Sequence, residues 1–121
     1  MSITNSLAGV AVTDLTTAVA WYERLFGCSA DARPMPELAE WRFDPGGWVQ
    51  LFADSKRAGS GSVTLVVDDL DAQLRALAEE KIIVGETKSS ALVRIAIVHD
   101  PDGNQIVFAQ GFDKAHLSSS S

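Results

Sequence analysis

The sequence predicts an α+β fold of two βαβββ modules, each with one antiparallel sheet and a helix across its outer face. Three observations carry that prediction. Val12-Thr13-Asp14-Leu15 recurs as Val67-Asp68-Asp69-Leu70, a shift of 55 residues that also pairs Val10 with Leu65 and Val19 with Leu74. Each copy follows a short strand-like run and precedes a segment of helical period. Residues 92–110, LVRIAIVHDPDGNQIVFAQ, read as two strands closed by a tight turn. There Pro101 fixes φ, Asp100 and Asp102 can bond the backbone just ahead, and Gly103 takes φ > 0 at no steric cost.

The elements follow in order. A first strand spans 7–12. Asp14 is the expected N-cap of a helix whose Leu15, Val19, Tyr22 and Leu25 form one apolar face, with Gly27 as its stop. The stretch 28–36 is poorly patterned; its first residues leave room for a further strand before Pro34 and Pro36 interrupt. Residues 38–43 and 48–52 form a hairpin across Asp44-Pro45-Gly46-Gly47. Residues 54–62, DSKRAGSGS, are small and polar and read as the link between modules. A strand at 63–67 leads to Asp68 or Asp69, either of which can cap a helix carrying Leu70, Leu74 and Leu77. Asp71 and Arg75 form an i,i+4 pair on that helix's wet side. Residues 81–84 form the next expected strand, before Gly85 and the final hairpin. The organisation is a first module at 1–56, a linker at 57–61, a second module at 62–112 and a disordered tail at 113–121, one domain overall.

Composition sets the class. A chain of 121 residues, 46% apolar and 21% charged, can bury a real core as a soluble globular protein. No apolar run reaches the roughly 18 residues of a membrane helix, and residues 1–20 lack the pattern of a signal peptide. The single cysteine, Cys28, cannot form an internal disulfide, so a reduced cytoplasmic setting is expected. The net charge of −6 and the absence of a Lys/Arg cluster argue against nucleic acid as a partner.

Val-x-Asp-Leu, the aromatic pair Trp21-Tyr22, Leu25-x-Gly27 and the Asp-Pro-Asp-Gly-Asn turn together resemble the vicinal oxygen chelate superfamily. That superfamily includes glyoxalase I, the bleomycin resistance proteins and the extradiol dioxygenases, and the resemblance covers about residues 5–111. It implies a glyoxalase/bleomycin resistance-like fold with a cleft between curled sheets. In the enzymes one divalent metal sits there, held by His and Glu, sometimes Gln, from four strands, with open positions for substrate oxygens. The matching positions in this chain are Leu7, Gln50, Ser62 and Val107. No His, Cys, Asp or Glu occurs at 6–12, 60–66 or 105–109, so a register error does not restore the ligand set. No metal or cofactor is expected, and the metal-dependent mechanism falls with the site.

Other chemistry is weakly signalled. His99 beside Asp100 and Asp102 reads as a strand end and a turn rather than acid–base machinery, and His116 lies in the tail. Cys28 has neither a helix N-terminus nor a His beside it in sequence to activate a thiolate. Gly59-Ser60-Gly61 lacks the Lys and helix start of a phosphate loop. Glu40 and Arg42 share a strand face that could meet ligand or water, with the solvated reading favoured over the ligand one.

The aromatic residues say more. Trp41 and Phe43 share one strand face; Trp48, Gln50 and Phe52 share another. The carried-over register points Gln50, and hence Trp48 and Phe52, into the cleft, with Leu7, Ser62 and Val107 as further lining. The competing reading has them filling the core between sheet and helix. The leading function is therefore binding of a largely apolar or aromatic organic molecule, for sequestration or sensing, by a homodimer in the manner of the bleomycin resistance proteins and without catalysis. The alternative is a lyase, isomerase or dioxygenase-like enzyme using a non-standard metal site or metal-free acid–base catalysis. A third reading is an interaction module whose cleft is filled by its own side chains. A side-by-side dimer, one with exchanged modules and a monomer all remain compatible with the linker.

Overall fold

The computed structural model describes residues 2–44 and 46–111. The chain clusters into two compact units, one comprising the chain to Val63 together with Asp100–Gln105, the other Thr64–His99 together with the chain from Ile106. The expected disordered tail and His116 lie outside the described residues, as does Pro45 of the first hairpin turn.

In the first unit, β1 (Leu7–Val12), β2 (Leu38–Arg42) and β3 (Trp48–Ala53) form a three-stranded sheet in the order β1-β3-β2. The hairpin strands β2 and β3 are antiparallel, pairing Ala39 with Leu51 and Trp41 with Val49. β1 runs parallel to β3, with Leu7 opposite Trp48 and Gly9 opposite Gln50. The sheet is thus mixed, where antiparallel pairing throughout was expected. β1 reaches β3 through a long helical connection, and no hairpin imposes the antiparallel sense. In 28–36 only Ala32 bridges to the sheet, opposite Glu40, so no full additional strand forms there.

Helix α1 (Leu15–Phe26) begins where the sequence places it. The Asp14 carboxylate accepts from the Thr16 and Thr17 N–H groups, satisfying donors that the first turn leaves unpaired. At the other end Gly27 takes φ +75°, and its N–H donates to the Glu23 carbonyl. Leu15, Ala18, Tyr22 and Leu25 are buried; Ala18, rather than the expected Val19, completes the face. This face meets the sheet face made by Val10, Val12, Ala39, Trp41, Val49 and Leu51, all buried. Trp41 packs on Tyr22 and Phe26, with centroids 6.2 and 5.2 Å apart, and its indole N–H donates to the Cys28 carbonyl.

The 100–104 turn is tied into this unit by a buried polar network. Asp100 is 5% exposed and Asn104 fully buried. One Asp100 oxygen accepts from the backbone N–H of Asp102 and Asn104. The other accepts from the Tyr22 hydroxyl at 2.7 Å and the Asn104 amide at 2.9 Å. The Asn104 amide also donates to the Ala11 carbonyl, and its oxygen accepts from the Gly59 and Gly61 N–H groups. Asp102 accepts from the Thr13 N–H. Every partner is satisfied, the condition under which a buried polar cluster stabilises rather than destabilises. Burial, then the hydrogen bond to Asp100, push the Tyr22 hydroxyl pKa far above its ordinary value. The polar stretch 54–62 is correspondingly structured. Asp54 accepts from the Lys56 and Arg57 N–H groups, and Gly59 sits at φ +91° against the Asp102 carbonyl.

The second unit contains most of a four-stranded sheet ordered β4-β7-β6-β5, formed by β4 (Ser62–Val66), β5 (Glu86–Ser89), β6 (Val93–His99) and β7 (Gln105–Gly111). Helix α2 (Leu70–Glu79) is capped by Asp69, which accepts from the Ala72 N–H; Leu70 and Leu77 are buried. The charge of Arg75 still acts on Asp71 as expected, but the stronger partner comes from another element. Arg94, on β6, reaches Asp71 at 3.1 Å and lowers its carboxyl pKa by hydrogen bonding and then by charge. The expected strand at 81–84 is absent. Lys81 takes φ +59°, Ile82 is buried, and the strand forms later as β5, antiparallel to β6 with Glu86 opposite Ile97.

Candidate ligand-binding face

Side chains alternate across a strand, so β3 presents Val49 and Leu51 to α1 and Trp48, Gln50 and Phe52 to the opposite face. The latter three are half-buried and take no part in the core under the helix. Register extends that face in both directions. β1 contributes Leu7, Gly9 and Ala11; β2 contributes Leu38, Glu40 and Arg42. Its central row reads Gly9, Gln50, Glu40. A methyl group on Gly9 would stand 3.3 Å from the Phe52 ring, so glycine leaves the middle of the face open beside the aromatic.

The aromatic rings carry cations. The Arg42 guanidinium lies 4.4 Å from the Trp48 ring centroid, and that of Arg57 lies 5.1 Å from the centre of Phe52. The solvated reading fails for Glu40, which is only 6% exposed, whereas Arg42 on the same face is exposed as expected. One of its oxygens accepts from the Gln50 amide at 3.4 Å. The other, Oε2, is buried and accepts no hydrogen bond, with Arg42 Nη2 at 3.7 Å in ion-pair range but beyond hydrogen-bond reach. A shallow open depression of about 180 Å³ adjoins the face where Leu7 and Trp48 meet Asn5 and Ser6.

Of the six residues singled out from sequence, Leu7, Trp48, Gln50 and Phe52 share this face. Ser62 and Val107 stand on the second sheet, Ser62 exposed at the start of β4 and Val107 buried in β7. Sequence reasoning missed Glu40 as a buried polar group. The signal available was period two, which puts it beside Gln50; nothing local reported its burial.

The metal positions of the resemblance hold two hydrocarbons, an amide and a hydroxyl. Such a set offers a divalent cation neither imidazole nor carboxylate and does not fit it. Among the described residues no three His, Cys, Asp or Glu side chains gather as a metal-binding group. His99 is exposed at the end of β6, and Cys28 is exposed. Among the described residues no helix is long and apolar enough to cross a membrane.

The chain is similar to several proteins of known structure. A glyoxalase/bleomycin resistance protein from Catenulispora acidiphila DSM 44928 is 34% identical, with TM-score 0.83, over 89% of this chain and 98% of that one. TnmS3, an antibiotic binding protein from Streptomyces sp. CB03234, is 27% identical, with TM-score 0.78, over 92% and 98%. Lactoylglutathione lyase from Agrobacterium tumefaciens shares the fold, with TM-score 0.75 at 19% identity over 91% and 95%. No curated protein matches the chain. The sequence profile of the Glyoxalase/Bleomycin resistance protein/Dioxygenase superfamily matches residues 5–108, two modules of strand and helix with the aromatic face described above, and the chain belongs to that superfamily.

Proposed function

We propose that the protein binds a flat, largely apolar organic molecule on the face of the first sheet, sequestering or sensing it without metal chemistry. One observation carries this reading. Trp48, Gln50 and Phe52 stand half-buried in a row, with Leu7 beside Trp48, on the sheet face opposite the helix. A large aromatic surface left outside the core suits stacking, and an amide between two rings suits orienting a ligand. The likeness to TnmS3, an antibiotic binding protein, supports the same class of ligand. The donor chemistry at the family's metal positions supports binding over a Lewis-acid mechanism. A homodimer in the cytoplasm is part of the proposal, consistent with an unpaired cysteine; sedimentation at micromolar concentration tests the pairing.

The test is a tryptophan-fluorescence titration with a panel of aromatic antibiotics, on protein assayed for Fe, Mn, Ni and Zn after loading and desalting. The expected result is saturable quenching by at least one compound, no stoichiometric metal, and binding weakened by about 1–3 kcal/mol in Trp48→Ala. Retained metal, or unchanged affinity in the folded variant, overturns the proposal.

A further inference from the structure

We infer that Glu40 is the polar anchor of this face, and that the ligand presents a cationic nitrogen donor, of amidinium or ammonium type, to its Oε2 while its ring lies against Trp48. The inference rests on the ligand-binding reading above and adds the chemical class of the ligand's polar end.

The argument starts from an imbalance. A buried carboxylate needs partners for both oxygens, because desolvation without compensation is costly. Glu40 has one acceptor site used by Gln50, and that bond is long at 3.4 Å. Oε2 has none. Both β2 and β3 are regular at this point, with Glu40 and Gln50 directly opposite, so the arrangement is built into the register and not into a loop. A polar atom left short in a native structure calls for an explanation, and a missing ligand donor supplies one.

The chain itself shows which group fits. Arg42 places a flat guanidinium 4.4 Å from the Trp48 centroid and 3.7 Å from Glu40 Oε2. A planar cation is thus accommodated between an indole and a carboxylate. Yet the Arg42 side chain is 45% exposed and stops short of a hydrogen bond. Strand geometry explains this: Arg42 lies two residues from Glu40 on the same strand, so its side chain must fold back to reach it. A ligand cation entering from outside carries no such tether and can close to hydrogen-bond distance, where charge assistance strengthens the contact. Arg42 then swings toward solvent.

Three probes with one ring separate the terms: benzamidine (cation), benzamide (neutral) and benzoate (anion). Binding is followed by ¹⁵N chemical-shift titration of the Trp48 indole N–H and the Gln50 side-chain amide, in low salt. Benzamidine is expected to bind at least tenfold tighter than benzoate. Glu40→Gln is expected to bring benzamidine down to the level of benzamide while moving benzamide less than twofold. Arg42→Ala, which removes the internal competitor, is expected to tighten benzamidine binding severalfold. Equal affinities for the three probes, an unaffected Glu40→Gln variant, or weaker benzamidine binding in Arg42→Ala overturns the inference and leaves the aromatic face standing. If no probe shifts either signal, the ligand-binding reading falls as well. Should Glu40→Gln fail to fold, the Arg42→Ala result and the probe ranking in the unmodified protein decide.

Discussion

Truncating Asn104 to alanine tests the buried network, and its cost can be worked from the contacts. The side chain is fully buried and makes four hydrogen bonds. Removing it orphans the Ala11 carbonyl, in a residue 5% exposed, which costs about 1–3 kcal/mol. The Gly59 and Gly61 N–H groups are half-buried and regain water in part, so each adds about 0.5–1 kcal/mol. The Asp100 oxygen keeps the Tyr22 hydroxyl and adds little. The expected total is about 2–5 kcal/mol, a large share of the roughly 5–15 kcal/mol that holds a domain together. Urea unfolding followed by circular dichroism measures it, with the m-value checking that the unfolded state is unchanged. A loss under about 1 kcal/mol at constant m would refute the view that this amide fastens the final turn to the first unit.

Two further perturbations address the same unit. Tyr22 is the chain's single tyrosine, and its native pKa is raised by burial and by the Asp100 carboxylate. The native state therefore keeps a proton that the unfolded chain releases at a pKa of about 10, so this contribution is intact below pH ~10 and is lost as pH rises beyond it. Alkaline titration at 295 nm should show tyrosinate only on unfolding, whereas Tyr22→Phe should lose about 1–2 kcal/mol at pH 7 and lack the alkaline slope; early ionisation in the folded protein would contradict this. Gly59→Ala would put a methyl group 2.5 Å from the Asp102 carbonyl at φ +91°, while Gly103→Ala at φ +98° meets nothing closer than 3.9 Å. Thermal unfolding should find Gly59→Ala the worse of the two by at least about 1 kcal/mol, since Gly103→Ala carries only the left-handed penalty; equal losses would mean the close approach relaxes freely.

What was legible in the sequence was local. Asp14, Asp69 and Gly27 act within a helical turn, so their types at those positions identified caps that the structure reproduces. Alternation in 48–52 separated Val49 and Leu51 from Trp48, Gln50 and Phe52 because period two needs no knowledge of the partner strand. What was not legible is long-range. The parallel sense of β1 and β3 depends on where a crossover lands. The Tyr22–Asp100 and Ala11–Asn104 bonds join residues 78 and 93 apart, and the same Asp-Pro-Asp-Gly-Asn letters serve a free turn equally well. β5 escaped notice because Glu86, Thr87, Lys88 and Ser89 are all exposed and carry no apolar alternation; only pairing with β6 makes them a strand. Arg94 outweighs Arg75 at Asp71 for a related reason, since helical spacing cannot report a cation arriving from another element.

The buried turn and the candidate face are physically connected within the first unit. Asn104 holds the N–H groups of Gly59 and Gly61, closing the segment that carries Arg57. Arg57 in turn covers Phe52, at one end of the aromatic row, as Arg42 covers Trp48 at the other. The two coverings differ in kind. Arg42 sits on β2 beside a carboxylate that attracts it, whereas Arg57 is placed by a loop whose shape depends on a turn distant in sequence. A ligand stacking on these rings exchanges one partner for another, so its affinity reflects the difference between its own contact and that of a guanidinium worth about 0.5–1 kcal/mol at an exposed site. That difference is small for a neutral ring and becomes large when the ligand also satisfies Glu40. On the proposed reading, ligands would be discriminated less by the size of the aromatic surface than by Glu40 Oε2, the buried side-chain acceptor left unused among the described residues.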